Sequence, residues 1–293
     1  MKTARIVAAV AAIALIGCAK SATTTSSPGA SASTSEITLP KCVNDAGSTP
    51  PAPATGSSYK LLTPGRLVVG SDTAFPPFES IKGAKAEGFD VDLIDEIGKR
   101  LGNLQVQIQT AVFDTIFTAL ASGRFDVVVS AVTIKADRKK TVDFTDPYFK
   151  ADLSLSVRAA DAATVHGVDD IKGKILGTQS GTTSEDCSKA ELKAKGRIKD
   201  LRSYDTAVAA FDDLAAQRVD AVLIDLPTAQ TIAAQRPAVR IVQVVKTNEN
   251  YGIAVSKKNP NLREAINMAL KSMRDDGTYR RLYMKWFKTE PPA

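Results

Sequence analysis

From residue 61 onward, short apolar runs alternate with segments whose apolar residues recur every three or four positions. Runs of the first kind suit strands, and recurrence of the second kind lays one helix face on a core. The run RLVVG at 66–70 predicts a strand. Asp90 then caps a helix with Leu93, Ile94, Ile97 and Leu101 on one face, stopped by Gly102. Asp114 opens a second helix that aligns Ile116, Phe117 and Leu120 and ends at Gly123, and DVVVS at 126–130 follows as a strand. Beyond it the pattern predicts a strand at 174–178, a helix after Gly181, a helix from Asp205, a strand at 220–224 and closing helices from Asn261 and Thr278. Strands alternating with helices imply mostly parallel sheets covered by helices, so the fold class is α/β.

One segment has a counterpart. FDTIFTALASGRFDVVVS, from Phe113, aligns with YDTAVAAFDDLAAQRVDAVLID, from Tyr204, once a short insertion is allowed. Chance likeness of two helix-strand units is one reading, and two similar lobes is the sharper one. Ligands of open α/β sheets bind outside the carboxyl ends of the strands. There the first unit places Ser130 and Thr133 and the second places Asp225. Two such lobes face to face imply a cleft.

The first sixty residues follow no such pattern. Lys2 and Arg5 precede an apolar run at 6–16 that ends at Gly17-Cys18, the form of a signal peptide over 1–17. The run is too short for a hydrocarbon layer of about 30 Å. Leu15-Ile16-Gly17-Cys18 resembles the bacterial lipobox, which implies lipidation at Cys18 and a protein held on the outer face of the cell membrane. Residues 18–60 are mostly Ser, Thr, Ala, Pro and Gly, too poor in large apolar groups to offset ordering entropy, and read as a disordered tether. Cys42 lies in that tether and Cys187 in the body; an oxidising compartment permits them to pair, and free thiols are the alternative.

At 293 residues, 44% hydrophobic and 24% charged, the chain is sized for a soluble body of two lobes. Its net charge of +6 includes Lys2 and Arg5, and the remaining bases are scattered among acids, which argues against nucleic-acid binding. The loop GTQSGTT lacks the GxxxxGK[ST] phosphate pattern, and neither a cofactor nor a metal is expected.

The candidate chemistry gathers at strand ends. Arg138 presents a planar, permanently charged fork that matches a carboxylate, and Thr133 and Ser130 can add hydroxyl and backbone donors to the same anion. Asp225 accepts only and suits an ammonium, although capping the helix after Pro227 would also explain it. The loop Gln179-Ser180-Gly181-Thr182-Thr183 enters a helix and turns its N–H groups to the cleft. Asp72 with Phe75 and Phe113 would wall a ligand side chain with a polar tip, unless the two rings are core.

SDTAFPPFE, GFDVDLIDEIGKRLG, SAVTIKADRKKTVDFTDPYF, GTQSGTT, DAVLID, YGIAVSKKNPNLREAINMALKSMRDDGTY and KWF stand in the order and spacing of the family 3 extracytoplasmic solute-binding proteins. From about residue 61 to 287 the chain resembles these polar amino acid receptors of ABC importers. The resemblance implies a two-lobed periplasmic-binding-protein-like fold, each lobe a mixed, mostly parallel sheet flanked by helices with the ligand cleft between. Residues 61–150 with 250–293 would form lobe 1 and 151–249 lobe 2, hinged near 150–152 and 248–250. It implies that Arg138, with Thr133, the backbone around Ala131 and Thr183, holds an α-carboxylate, that Asp225 takes the α-ammonium, and that Asp72, Phe75 and Phe113 meet the ligand side chain. Gln179 and Ile224 stand where the family's glutamine receptor has Lys and His, and Ala131 where basic amino acid receptors commonly have Ser. These departures argue against glutamine specificity of that type, while Asp72 favours a side chain that can donate, so a basic or amide amino acid is favoured, acidic ones next. The implied partners are that amino acid, the membrane subunits of an importer and the membrane itself, with the protein acting as a monomer. The fold also resembles that of cyclohexadienyl dehydratases and some lytic enzymes, but the one histidine, His166, sits in a polar loop and no acid-base pair stands out. A sensing role through a membrane partner is the other alternative.

Overall fold

The computed structural model describes residues 34–46, 51, 54–56 and 58–292. The expected signal peptide over 1–17 and the lipidation site Cys18 lie outside the described residues. Among the described residues no helix is long and apolar enough to cross a membrane. Strands are numbered β1 to β14 and helices α1 to α8 along the chain.

Two sheets organise the body. In the first lobe β2 (Arg66–Ser71) lies between β6 (Gln105–Thr110) and β7 (Val127–Val128), parallel to both, while β14 (Ala254–Val255) runs antiparallel between β7 and β8 (Asp143–Phe144). In the second, β10 (Ile175–Gln179) lies between β11 (Asp200–Tyr204) and β12 (Ala221–Asp225), parallel to both. There β9 (Phe149–Arg158) runs antiparallel between β12 and β13 (Val239–Tyr251). Strands β7 and β12 end the two alike segments and hold the same place, parallel to a neighbour on one side and antiparallel to a returning strand on the other. Their carboxyl ends carry the loops described below.

Helices cover these sheets with the faces that the periodicity selects. In α1 (Phe89–Arg100) Leu93, Ile94 and Ile97 are wholly buried while Asp95 and Lys99 face solvent. Helix α2 (Ile116–Ala121) follows a tight turn at Phe113–Thr115, and α3 (Ala136–Thr141) follows β7. In the second lobe α4 (Thr183–Cys187), α5 (Ala207–Ala215) and α6 (Leu226–Gln235) follow β10, β11 and β12, and α7 (Pro260–Asp275) and α8 (Thr278–Phe287) return to the first. Asp90 does not cap α1: the helix starts after Gly88 without a side-chain cap, and Asp90 is turned inward and buried. The ribbon of β3 (Ala74–Phe75), β4 (Glu79–Lys82) and β5 (Lys85–Glu87) folds over that helix start so closely that a Cβ on Gly88 would lie 1.9 Å from the Phe78 carbonyl oxygen.

The lobes are joined where Phe149, Lys150 and Ala151 of β9 pair with Tyr251, Asn250 and Glu249 of β13. The ladder is irregular between Val245 and Glu249, with Asn248 at φ +54, a left-handed conformation that Asn tolerates better than most residues. Rings brace the crossing: Phe149 stacks on Tyr251 at 5.6 Å and meets Phe287 of α8 at 4.8 Å. Such pairs contribute about 0.5–1.5 kcal/mol each beyond burial.

The expected tether gives way at Ser35. Strand β1 (Ser35–Thr38) pairs in parallel with residues 243–246 of β13 at the sheet edge. Cys42 is disulfide-bonded to Cys187 at the end of α4. Next, the Asn44 N–H donates to the Thr247 carbonyl at 2.7 Å, the Asn44 side chain donates to the Ile134 carbonyl at 2.8 Å, and Ala136 N–H donates to the Asp45 carbonyl at 3.0 Å. Composition misleads here because an edge strand is held by backbone bonds that any sequence supplies. The segment thus fastens to the second lobe and then touches the loop and helix that carry Thr133 and Arg138.

Candidate ligand-binding site

The loop after β7 is braced from behind. Ser130 Oγ accepts the Asp72 N–H at 2.9 Å and donates to Glu79 Oε1 at 2.7 Å, while Ala131 N–H donates to Asp90 Oδ2 at 2.7 Å. Ala131 is held at φ +46, which costs a residue with a Cβ about 1–2 kcal/mol. The Ser130 hydroxyl and the Ala131 N–H, both expected to serve a ligand, are therefore spent on buried carboxyls; they fix the shape of the loop. Burial and the neighbouring Asp90 charge push Glu79 well above the ordinary carboxyl value. Burial lifts Asp90 to about 6 against the pull of the Ala131 N–H and the Tyr148 hydroxyl, so the pair holds a proton.

Arg138 enters the cleft from α3. Its guanidinium lies over Phe113 and Phe117, 5.1 and 4.8 Å from the ring centroids, which fixes the plane of the fork. Nη1 donates to the Thr133 carbonyl at 2.8 Å and Nη2 reaches the second lobe, donating to the Gly181 carbonyl at 3.1 Å. Burial lowers its pKa to about 10, opposed by the charges of Glu249, Asp186 and Asp225, so it remains a cation at neutral pH.

The second lobe supplies acceptors. Asp225 ends β12 and makes no cap bond to α6; its Oδ1 accepts the Tyr251 hydroxyl. Burial lifts the Asp225 carboxyl to about 6 against that bond and the Arg138 charge. Gln179, at the end of β10, donates through Nε2 to Asp72 Oδ2 at 2.5 Å across the cleft and to the Asp205 carbonyl at 3.0 Å. Burial lifts Asp72 to about 6, partly offset by the Gln179 bond. Thr182 caps α4, its hydroxyl accepting the Glu185 N–H at 3.2 Å and donating to the Gln179 carbonyl at 2.7 Å, so it shapes the loop. Thr183 opens that helix beside it.

These groups converge. Phe75, Phe113, Ser130, Ala131, Thr133 and Arg138 from the first lobe and Gln179, Thr182, Thr183 and Asp225 from the second line one narrow cleft between the lobes. Asp72 stands behind Gln179. The lobes are in contact around it: a Cβ on Gly181 would lie 2.7 Å from the Asp114 Cα of the other lobe, and Lys135 of the first lobe pairs with Asp186 of the second. Arg138 from one lobe and Asp225 from the other thus face the same narrow cleft, a cation and an acidic group side by side.

Sequence reasoning missed the carboxyls that surround this clamp. Glu249 on β13 is wholly buried and touches the Thr133 hydroxyl. Glu79 and Asp90 lie under the loop, where Ser130 donates to Glu79 and the Tyr148 hydroxyl to Asp90, while the Tyr251 hydroxyl donates to Asp225. The segment TNEN around Glu249 reads as a polar turn, and only its place between two lobes makes it interior.

Residues 67–289 match the sequence pattern of the bacterial extracellular solute-binding proteins, family 3. The L-cystine-binding protein TcyJ of Escherichia coli is 32% identical over 79% of this chain and 86% of its own length. The arginine-binding extracellular protein ArtP of Bacillus subtilis is 29% identical over 81% and 92%. Among solved structures, an ancestral arginine-binding protein bound to arginine superposes with a TM-score of 0.72 at 42% identity, covering 76% of this chain and 98% of that one. An ancestral amino acid-binding protein described as a precursor of cyclohexadienyl dehydratase gives 0.70 at 36%, covering 76% and 96%. Those relatives are binding proteins, and one stands at the root of an enzyme. With the match running through both lobes, this chain belongs to the bacterial extracellular solute-binding proteins of family 3.

Proposed function

We propose that this protein is a lipid-anchored receptor that captures one polar amino acid by closing its lobes and delivers it to an ABC importer. The observation that carries the reading is the placement of Arg138 and Asp225, one from each lobe, on a single cleft. A zwitterion spanning the two bonds to both lobes at once, so it favours closure over opening and the importer receives the closed form. Charge-assisted bonds in a desolvated cleft also reject a molecule that lacks either end, because the unmatched protein charge stays buried.

Asp72 supports a ligand side chain that can donate. Its carboxyl is desolvated and held by a neutral amide from Gln179, a partner that a cationic or amide side chain could replace. The likeness to an arginine-bound ancestral protein supports the same choice. The lipid anchor rests on Leu15-Ile16-Gly17-Cys18. The test is calorimetric titration of the mature chain, without its lipid, against the common amino acids. A basic or amide amino acid should bind, and Arg138→Ala should abolish measurable binding while circular dichroism remains that of a folded protein. Undiminished affinity in Arg138→Ala would refute the site.

A further inference from the structure

Glu249 is the carboxyl of the cleft that neither end of the amino acid clamp uses. It lies on the second crossing strand, opposite Ala151 of the first, and is wholly buried. Thr133 Oγ1 of the first lobe is in hydrogen-bond contact with Glu249 Oε2, and the Thr183 hydroxyl of the second lobe lies against the same carboxyl. Oε1 is buried and makes no well-formed hydrogen bond. The charges facing it are Asp225 from the end of β12 and Arg138 from α3, and Tyr251 lies two residues along its own strand.

Counting hydrogens decides what this contact means. A threonine hydroxyl has one hydrogen to give and can accept as well. If Glu249 were ionised, it could only accept, and the Thr133 hydrogen would be consumed by it. The ligand carboxylate beside Arg138 would then meet an oxygen without a hydrogen and a second anion close by. If Glu249 carries a proton, it can donate to Thr133 Oγ1, and the Thr133 hydrogen turns to the ligand. We propose that Glu249 is a positioning residue for the ligand carboxylate that acts in its neutral form, donating to Thr133 so that the Thr133 hydroxyl can donate to the ligand. This rests on the amino acid reading above.

Burial and the Asp225 charge raise Glu249 to about 8, against the pull of Thr133, Thr183 and Arg138, so the neutral form is the resting one at pH 7. Because the favoured form is protonated, the Glu249 contribution to affinity is full below this value and is lost as pH rises through it, while Asp225 must be ionised, above about 6, for the ammonium bond.

The experiment has a ligand-free arm and a binding arm. Carbon-13 NMR titration of the side-chain carboxyls, with the Glu249 signal assigned by its loss in Glu249→Gln, should give a midpoint near 8. A midpoint near the ordinary 4.5 overturns the proposal whatever the ligand is. Calorimetry with L-arginine and L-glutamine between pH 6 and 9 should show the wild-type Kd rising with pH, approaching tenfold per unit above the midpoint, roughly as one lost proton requires. Glu249→Gln, whose amide can always donate, should stay within about tenfold of wild type at pH 7 and lose that rise. Loss of the ligand's own ammonium proton affects both proteins alike. A Glu249→Gln profile parallel to wild type, or a larger loss of affinity at pH 7, overturns the proposal. Failure of both amino acids to bind wild-type protein refutes the ligand class and leaves the NMR midpoint to decide the state of Glu249.

Discussion

Asp225→Asn tests the ammonium end of the clamp most sharply. Burial lifts Asp225 from 3.8 to about 6, so holding it ionised at pH 7 costs about 3 kcal/mol relative to water. A ligand ammonium offsets that cost and adds a charge-assisted bond. Asn keeps the volume and the partner for Tyr251 but has no charge to offer. Removing one member of a buried ion pair costs about 3–5 kcal/mol, so Kd should rise roughly 150- to 5,000-fold. Titration calorimetry at pH 7.5 with the amino acid that binds, and with its analogue lacking the α-amino group, completes a double-mutant cycle. The analogue should bind wild type as poorly as the natural ligand binds Asp225→Asn, and the variant should not discriminate between the two, giving a coupling of about 3 kcal/mol. The ligand-free variant should melt higher than wild type, because a costly buried charge is gone. Losses that add, or a lower melting temperature with unchanged affinity, would show that Asp225 serves the fold and does not meet the ammonium.

Gly181→Ala should raise Kd at least about tenfold, because its Cβ would strike the Asp114 Cα of the opposite lobe at 2.7 Å and hold the cleft ajar. The ligand-free protein should lose only about 1–2 kcal/mol for the left-handed backbone at φ +74, and unchanged affinity would mean that the lobes do not approach there. Ligand-free stability should fall as pH rises from about 4.5 to 8. Asp72, Asp90 and Asp225 are raised to about 6 and Glu249 to about 8, so the folded chain binds more protons than the unfolded one across that window. A melting temperature higher at pH 8 than at pH 5.5 would contradict this assignment of neutral carboxyls.

What the sequence made legible was what depends on residue type beside a strand end. Arg138 stands out because a permanent cation at a strand end has few other uses; Asp225 could equally have been a helix cap, and its missing cap bond and its place on the same cleft separate the two readings. The periodicity found the strands and helices because burial on one face sets it, as in Leu93, Ile94 and Ile97. What it could not find depends on distant partners. Asp90 looks like a helix cap until the ribbon from β3 to β5 covers it, and Glu249 looks like a turn residue until two lobes close on it. Ser130 and Thr182 line the cleft, but their hydroxyl hydrogens go to Glu79 and the Gln179 carbonyl, partners that residue type alone does not reveal.

The N-terminal segment decides how this protein should be handled in the laboratory. A recombinant form cut at residue 61, which composition alone would recommend, discards β1 and breaks the Cys42–Cys187 link. It also uncovers residues 243–246 of β13, whose freed backbone groups would invite a strand from another molecule. Such a preparation would also lose the Asn44–Thr247 bond beside the crossing strands, and with it part of what holds the hinge. The cut belongs before Ser35, and the protein should be made under conditions that let its disulfide form.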